Sequence, residues 1–290
     1  MEKFDQDLLK QLYRPQRESH KGQNGRLMII GGSHLFHGAS LFALKVASRI
    51  VDMVFYSSTL ENNKLTEELK GKLYDFIAVP REKIEDYISE ADCILIGSGL
   101  PREEGREEGE EKTRELVQRY LSKYPHKKWV LDAGAITEIE PEWLLPLKGN
   151  VILTPHKKEF ERLFEKSTNQ QINKSTNQQI ETMAKEYNCT ILLKGPEDIV
   201  CGLDKSVRPP AFTLRRVKGG NEGMTKGGTG DVLAGLVGSL ACKNDLWLAA
   251  CAGSFINKKA GESLYQRVGP YFNASDLADE IPKVMKELIY

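Results

Sequence analysis

The chain has 290 residues, and its 41 Lys and Arg balance its 41 Asp and Glu, giving a formal net charge of zero. That balance offers no general attraction to nucleic acid or to an anionic membrane, and no apolar run approaches the ~18 residues that crossing a bilayer requires. A hydrophobic share of 40% and a charged share of 28% fit a soluble globular protein with a sizeable core.

The N-terminal stretch MEKFDQDLLKQLYRPQ carries charges where a signal peptide needs an apolar segment. Residues 1–20 read as a helical extension ahead of a single domain over 21–290. Strands are expected over 27–30, 53–56, 76–79, 93–96, 129–131, 151–153 and 191–193, with a hairpin over 199–201 and 212–214. Helices are expected over 38–50, 107–123, 157–164, 178–187, 230–241, 247–264 and 275–288. This alternation implies a mostly parallel sheet covered on both faces. Ligands of such sheets bind beyond the carboxyl ends of the strands.

Two segments are compositionally odd. Residues 101–115 repeat REEG and read as an acidic, solvated helix start. Residues 166–180, KSTNQQINKSTNQQI, duplicate eight residues and read as an expanded surface loop or helix extension. The five cysteines, Cys93, Cys189, Cys201, Cys242 and Cys251, are odd in number and lack CxxC spacing. Reduced core thiols in a cytoplasmic protein are the simplest expectation.

The strongest chemical signal is GGNEGMTKGGTGDVLAGLVGSL, residues 219–240. Six of the 25 glycines fall within residues 219–230, directly before an apolar helix. Glycines let backbone approach a ligand, and the unpaired N–H groups of a helix start favour an anion. A phosphate fits there, and Asp231 is then the anomaly. A carboxylate beside a phosphate is useful as a base that takes a proton from a substrate hydroxyl. The bland alternative is a glycine turn with Asp231 as partner of the helix dipole. The segment is not a GxxxxGK[ST] loop, since no lysine follows its final glycine.

Other strand ends add candidates. ILLKGPEDIV places Lys194 and Gly195 after a strand, where a cation could reach a phosphate. VILTPHKKEF ends a strand in Thr154, Pro155 and His156, with Glu159 three residues on as a weak metal pair. RLMIIGGSHLFHGAS ends one in Gly31 and Gly32, and His34 and His37 have no further ligand candidate nearby. CILIGSGLP and VLDAGAI supply a small-residue turn and Asp132. Together these ends outline one nucleotide-sized cleft.

Taken in order, GGS…HGA, IGSGL, VLDAGAI, LTPHKKEF, LLKG and NEGMTKGGTGDVLAGL resemble the ADP- or ATP-dependent NAD(P)H-hydrate dehydratases over residues 20–285. The resemblance implies a ribokinase-like α/β/α fold and repair of hydrated nicotinamide cofactors. It implies that Ala39, Gly99, His156 and Asp231 contact the hydrate. It implies that Lys194, Gly195, Pro196, Glu197, Asp198 and Gly230 hold the nucleotide, with Gly227, Gly228 and Thr229 completing an anion hole. ADP, or ATP, and Mg²⁺ are the implied cofactors, with no metal ligand set read. The S epimer of NADHX or NADPHX is the implied substrate, and ADP would give AMP and phosphate. A homo-oligomer is implied, as is pairing with a separate epimerase, since nothing like an epimerase domain precedes Gly22.

The sequence departs from the family pattern at several points. The usual GNPGMATGGTGD here carries Glu222, Thr225 and Lys226. The usual DADAL is DAGAI, placing Gly134 where a carboxylate stands. Pro101 ends GSGLP in place of glycine, and Asn257 and Lys258 replace the His-Gly of HGxAGD. Two alternatives therefore stay open: a ribokinase-like kinase for a small alcohol, and a divergent nucleotide-binding member without turnover.

Overall fold

Ten short strands form one sheet. They are β1 (Glu2–Lys3), β2 (Arg26–Ile30), β3 (Met53–Ser57), β4 (Ile77–Ala78), β5 (Cys93–Ile96), β6 (Lys128–Leu131), β7 (Val151–Leu153), β8 (Thr190–Leu193), β9 (Asp198–Asp204) and β10 (Ala211–Val217). The structure is a computed structural model that describes residues 2–60, 62–64, 75–103, 111–165 and 176–290. The strand order is β1-β10-β9-β8-β7-β6-β5-β2-β3-β4. Strands β2 to β8 pair in parallel, and β9 runs antiparallel to both β8 and β10. The order reverses around β2, which lies between β5 and β3. That reversal opens a crevice at the strands' carboxyl ends, where ligands of open parallel sheets bind.

The helices are α1 (His37–Ala47), α2 (Ile84–Glu90), α3 (Thr113–Lys123), α4 (Ala133–Glu138), α5 (Lys157–Glu165), α6 (Thr176–Glu186), α7 (Thr229–Lys243), α8 (Leu246–Val268) and α9 (Ala274–Ile289). Strand side chains alternate between the two faces. Leu27 and Ile29 join Ala43, Leu44, Leu236, Ala249 and Leu277 on the face covered by α1, α7, α8 and α9. Met28 and Ile30 join Ile88, Leu116, Phe160 and Ile180 on the face covered by α2, α3, α5 and α6. Each such aliphatic side chain contributes about 1.5–3 kcal/mol by leaving water. Two cores thus clamp the sheet and fix where its strand ends point.

The regular elements lie close to the ranges expected from sequence. The antiparallel hairpin of β9 and β10 is longer than expected, because pairing continues from Asp198 to Asp204. The stretch read as a helical extension holds β1 and a 3₁₀ turn over Gln6–Gln11. Asp5 accepts a hydrogen bond from Asp7 N and caps that turn, while Phe4, Leu9 and Leu12 are buried in the core. The short α2 and α4 were not anticipated. The acidic repeat lies outside the described residues over 104–110, as does the start of the expected helix over 107–123. Of the polar duplication only 176–180 are described, within α6, and 166–175 lie outside.

Candidate active site

The glycine-rich segment leads into α7 as its composition demands. Gly228 caps the helix with φ of +93°, a conformation that side-chain-bearing residues rarely adopt. A Cβ at Gly228 would also lie 2.4 Å from the Phe42 ring. Thr229 donates its hydroxyl to Met224 O at 2.7 Å and Lys226 O at 2.8 Å, which ties the loop to the first turn. From Val232 to Cys242 the helix is buried, so packing holds its N-terminus at the crevice. The N–H groups there are available to an anion.

Asp231 stands in that first turn beside a second carboxylate. Asp132, at the end of β6, accepts from Ser98 Oγ at 3.1 Å, Thr154 Oγ1 at 2.8 Å and Lys194 Nζ at 2.9 Å. Those partners come from the ends of β5, β7 and β8. A Cβ on Gly230 would lie 3.6 Å from Lys194 Nζ, so the ammonium faces the helix start as well. Burial opposes the Lys194 charge, but Asp132, Glu159 and Asp231 outweigh it and raise its pKa. Burial and the Asp132 charge push the Asp231 carboxyl up to about 7, against the pull of Lys194 and Ser98.

The Ser98 hydroxyl, which donates to Asp132, also favours the ionised form of Asp231. A group poised to gain or lose a proton near neutral pH is what a general base requires.

Of the residues expected to contact the hydrate, Ala39 stands in the first turn of α1. A Cβ on Gly99 would lie 3.1 Å from Ala39 Cβ, so the two positions adjoin. His156 caps α5. Its backbone N–H donates to Glu159 Oε2 at 2.9 Å, and Glu159 N–H donates to His156 Nδ1 at 3.2 Å. This reciprocal pair is a capping box built with histidine. It accounts for the His-x-x-Glu spacing without a metal and leaves Nε2 to carry the ring proton. A parallel backbone bridge between His156 and Lys194 brings the two strand ends together.

A cavity of about 560 Å³ opens next to α7. Lys194, Gly195, Pro196, Asp198, Thr229 and Gly230 line it, joined by Gly219, Gly220, Asn221, Leu233, Asn257 and Lys258. That volume suits a nucleotide-sized ligand. Glu197 is not among its lining residues; it pairs with Arg216 at 3.3 Å and Lys218 at 3.0 Å on the hairpin side. Gly227 and Gly228 stand behind the helix start rather than on the cavity wall. Asp198 is buried and structural, accepting from Ser254 Oγ at 2.7 Å and Gly195 N at 2.9 Å.

The departures from the family pattern have local explanations. A Cβ at Gly134 would lie 2.4 Å from Leu100 O, so the loop ending in Pro101 occupies the space a side chain at 134 would need. Lys226 turns away from the cavity, donating to Pro270 O and lying 5.2 Å from the Phe272 ring centroid. Glu222 accepts from Tyr265 OH at 2.8 Å. Lys258 is buried and donates to Gly195 O and Pro196 O, both at 3.1 Å, with Asp198 Oδ1 at 3.3 Å. It holds the nucleotide-side loop from beneath.

The sequence marks Asp132 and Thr154 as strand ends without giving either a role, and it does not single out Ser98, Asn257 or Lys258 as site residues. The partners of Asp132 lie 34, 22 and 62 residues away along the chain. A shared signal was present only in their common position just after a strand.

Comparison with known proteins places this geometry in a family. A family model described as NAD(P)H-hydrate dehydratase matches residues 27–283. The bifunctional NAD(P)H-hydrate repair enzyme Nnr of Methanocaldococcus jannaschii is 36% identical over 286 residues, covering 96% of this chain and 51% of its own length. The chain thus spans about half the length of that bifunctional relative. The ADP-dependent (S)-NAD(P)H-hydrate dehydratase of Cenarchaeum symbiosum is 32% identical, with 93% of this chain and 91% of that one covered. The crystal structure of the ADP/ATP-dependent NAD(P)H-hydrate dehydratase from Bacillus subtilis, co-crystallized with ATP/Mg2+, superposes with a TM-score of 0.75 at 22% identity, covering 99% of this chain and 98% of that one. The fold is the ribokinase-like one that the resemblance implied. With a dehydratase model spanning the sheet, the crevice and α7, the chain belongs to the NAD(P)H-hydrate dehydratase family.

Proposed function

We propose that this chain dehydrates the S epimer of NADHX or NADPHX, with ADP as the phosphoryl donor. The observation that carries the reading is the poised Asp231 carboxyl beside Lys194 and Asp132, one residue beyond Thr229 and Gly230 of the cavity wall. Asp231 takes the proton of the hydrate's ring hydroxyl as that oxygen attacks the β-phosphorus of ADP, and AMP leaves. The carbon–oxygen bond then breaks, phosphate departs, and loss of a ring proton restores the double bond. The balance is hydrate plus ADP giving NAD(P)H, AMP and phosphate. Lys194 and the Gly230 N–H stabilise charge on the transferred group. Ala39, Gly99 and His156 border the hydrate. Residues 21–290 form the catalytic domain, and residues 1–20 are its extension.

Among the described residues no group of three or more His, Cys, Asp or Glu side chains could hold a metal ion. This fits Mg²⁺ carried in on the nucleotide phosphates, because that ion keeps several waters and needs few protein ligands. Bound there, it offsets the repulsion between phosphate and carboxylate. Assembly into a homo-oligomer, work alongside an epimerase and a cytoplasmic location belong to the same proposal. Among the described residues no helix is long and apolar enough to cross a membrane.

The test is incubation with NADHX or NADPHX plus ADP or ATP. Recovery of reduced-cofactor absorbance, with one AMP and one phosphate formed per turnover on ADP, is expected. No recovery with either nucleotide overturns the proposal.

A further inference from the structure

Six buried side-chain polar atoms have no hydrogen-bond partner among the described residues: Arg14 Nε, Arg26 Nε, Ser57 Oγ, Glu138 Oε1, Arg216 Nε and Asn257 Oδ1. Of these residues only Asn257 lines the cavity beside α7. Its side chain is buried, with the residue 5% exposed. Leaving a buried acceptor without a donor is unfavourable, so a ligand that supplies the donor recovers that loss.

The phosphate end of the cavity is rich in donors, from Lys194 Nζ and the first turn of α7. Phosphates carry acceptors and have nothing to offer an orphaned oxygen. The donors of a nucleoside diphosphate lie in its sugar and base. Two backbone carbonyls of lining residues, Gly195 O and Pro196 O, already accept from Lys258 Nζ. Asn257 stands one residue before Lys258 on the long, buried α8, so its position is fixed by packing. A carboxamide presents an acceptor and a donor side by side. That pair matches the exocyclic amine and N7 of adenine, the same match by which asparagine reads adenine in nucleic acids.

We propose that Asn257 is the base-specificity residue of the nucleotide site, its Oδ1 accepting from the exocyclic amine of adenine and its Nδ2 donating to N7. The assignment rests on the cavity being the nucleotide site. A hypoxanthine base offers O6 and N7, two acceptors, so either orientation of the carboxamide leaves one pair opposed.

Calorimetric titration with ADP, IDP and 2′-deoxy-ADP tests this. The unsubstituted protein should bind ADP about ten- to a hundredfold tighter than IDP. Asn257→Leu should bring the ADP-to-IDP ratio close to one by weakening ADP. Asn257→Asp, which has acceptors only, should keep a preference for ADP. Equal affinities for ADP and IDP in the unsubstituted protein overturn the proposal without any variant having to fold. A ratio that survives Asn257→Leu overturns it too, as does a Leu penalty that disappears with 2′-deoxy-ADP, which would assign Oδ1 to the ribose. Absence of any ADP binding, or ADP binding unaffected by Lys194→Met, overturns the nucleotide reading itself. ADP binding weakened by Lys194→Met but indifferent to residue 257 overturns only the Asn257 assignment.

Discussion

At the scale of single residues, the site is a problem of two carboxylates and one ammonium. Asp231→Asn keeps the shape and removes the base, so turnover should fall by at least about a thousandfold while ADP affinity stays within a few-fold. The same substitution should stabilise the fold. A carboxyl whose pKa is raised by burial and Asp132 to about 7 is destabilising when ionised. That cost is absent below the unfolded value near 4 and complete above 7, so the variant should gain on the order of 2–4 kcal/mol at pH 8 and nothing at pH 3.5. Denaturant titrations at the two pH values check it. Asp132→Asn removes the opposing charge and frees Lys194, and both changes lower the Asp231 pKa. The acid limb of the rate profile should therefore move to lower pH, read from kcat between pH 5 and 9. Asp231 was legible from sequence because a carboxylate at a glycine-rich helix start is out of place unless it works. Asp132 was not, since its role exists only once four strand ends converge.

At the scale of elements, the site depends on where α7 begins. Gly228→Ala would force a side chain into the +93° backbone conformation and against Phe42, with Ala274 next in line. A loss of about 2–4 kcal/mol and of ADP binding is expected, by thermal melting and calorimetry. The packing of α9 on α8 rests partly on Glu280, which is almost fully buried. Burial would raise its pKa, but Arg267 at 2.7 Å, Ser263 at 2.7 Å and Lys283 at 2.9 Å hold it down to about 2. A depressed carboxyl stabilises above its unfolded value and ceases to do so as pH falls through the folded one. Glu280→Gln should cost about 2 kcal/mol at pH 7 and little at pH 2, measured by urea unfolding. Strands and long helices were legible because their apolar periodicity is strong. The short α4 was not, for it starts at Ala133 with φ of +41°, a conformation no propensity predicts. The capping role of His156 was hidden by a spacing that also suits a metal pair.

At the scale of the whole molecule, two cores and a switch in strand order gather the ends of β2, β5, β6, β7 and β8 on one edge. All five cysteines are free and buried, as their apolar contexts led us to expect. Burial raises the thiol of Cys201 to about 12 and that of Cys189 higher still. A thiol reagent should label none of them quickly in the native protein and all five after denaturation, by mass spectrometry. The close approach of Leu100 O to Gly134 bears on how this sequence could have been reached. The family's usual pairing, a carboxylate at 134 with glycine at 101, and the pairing here are two solutions, and a side chain at 134 beside the present loop would clash with Leu100 O. Gly134→Asp alone should be harmful and should recover when Pro101→Gly is added, so the two sites are epistatic.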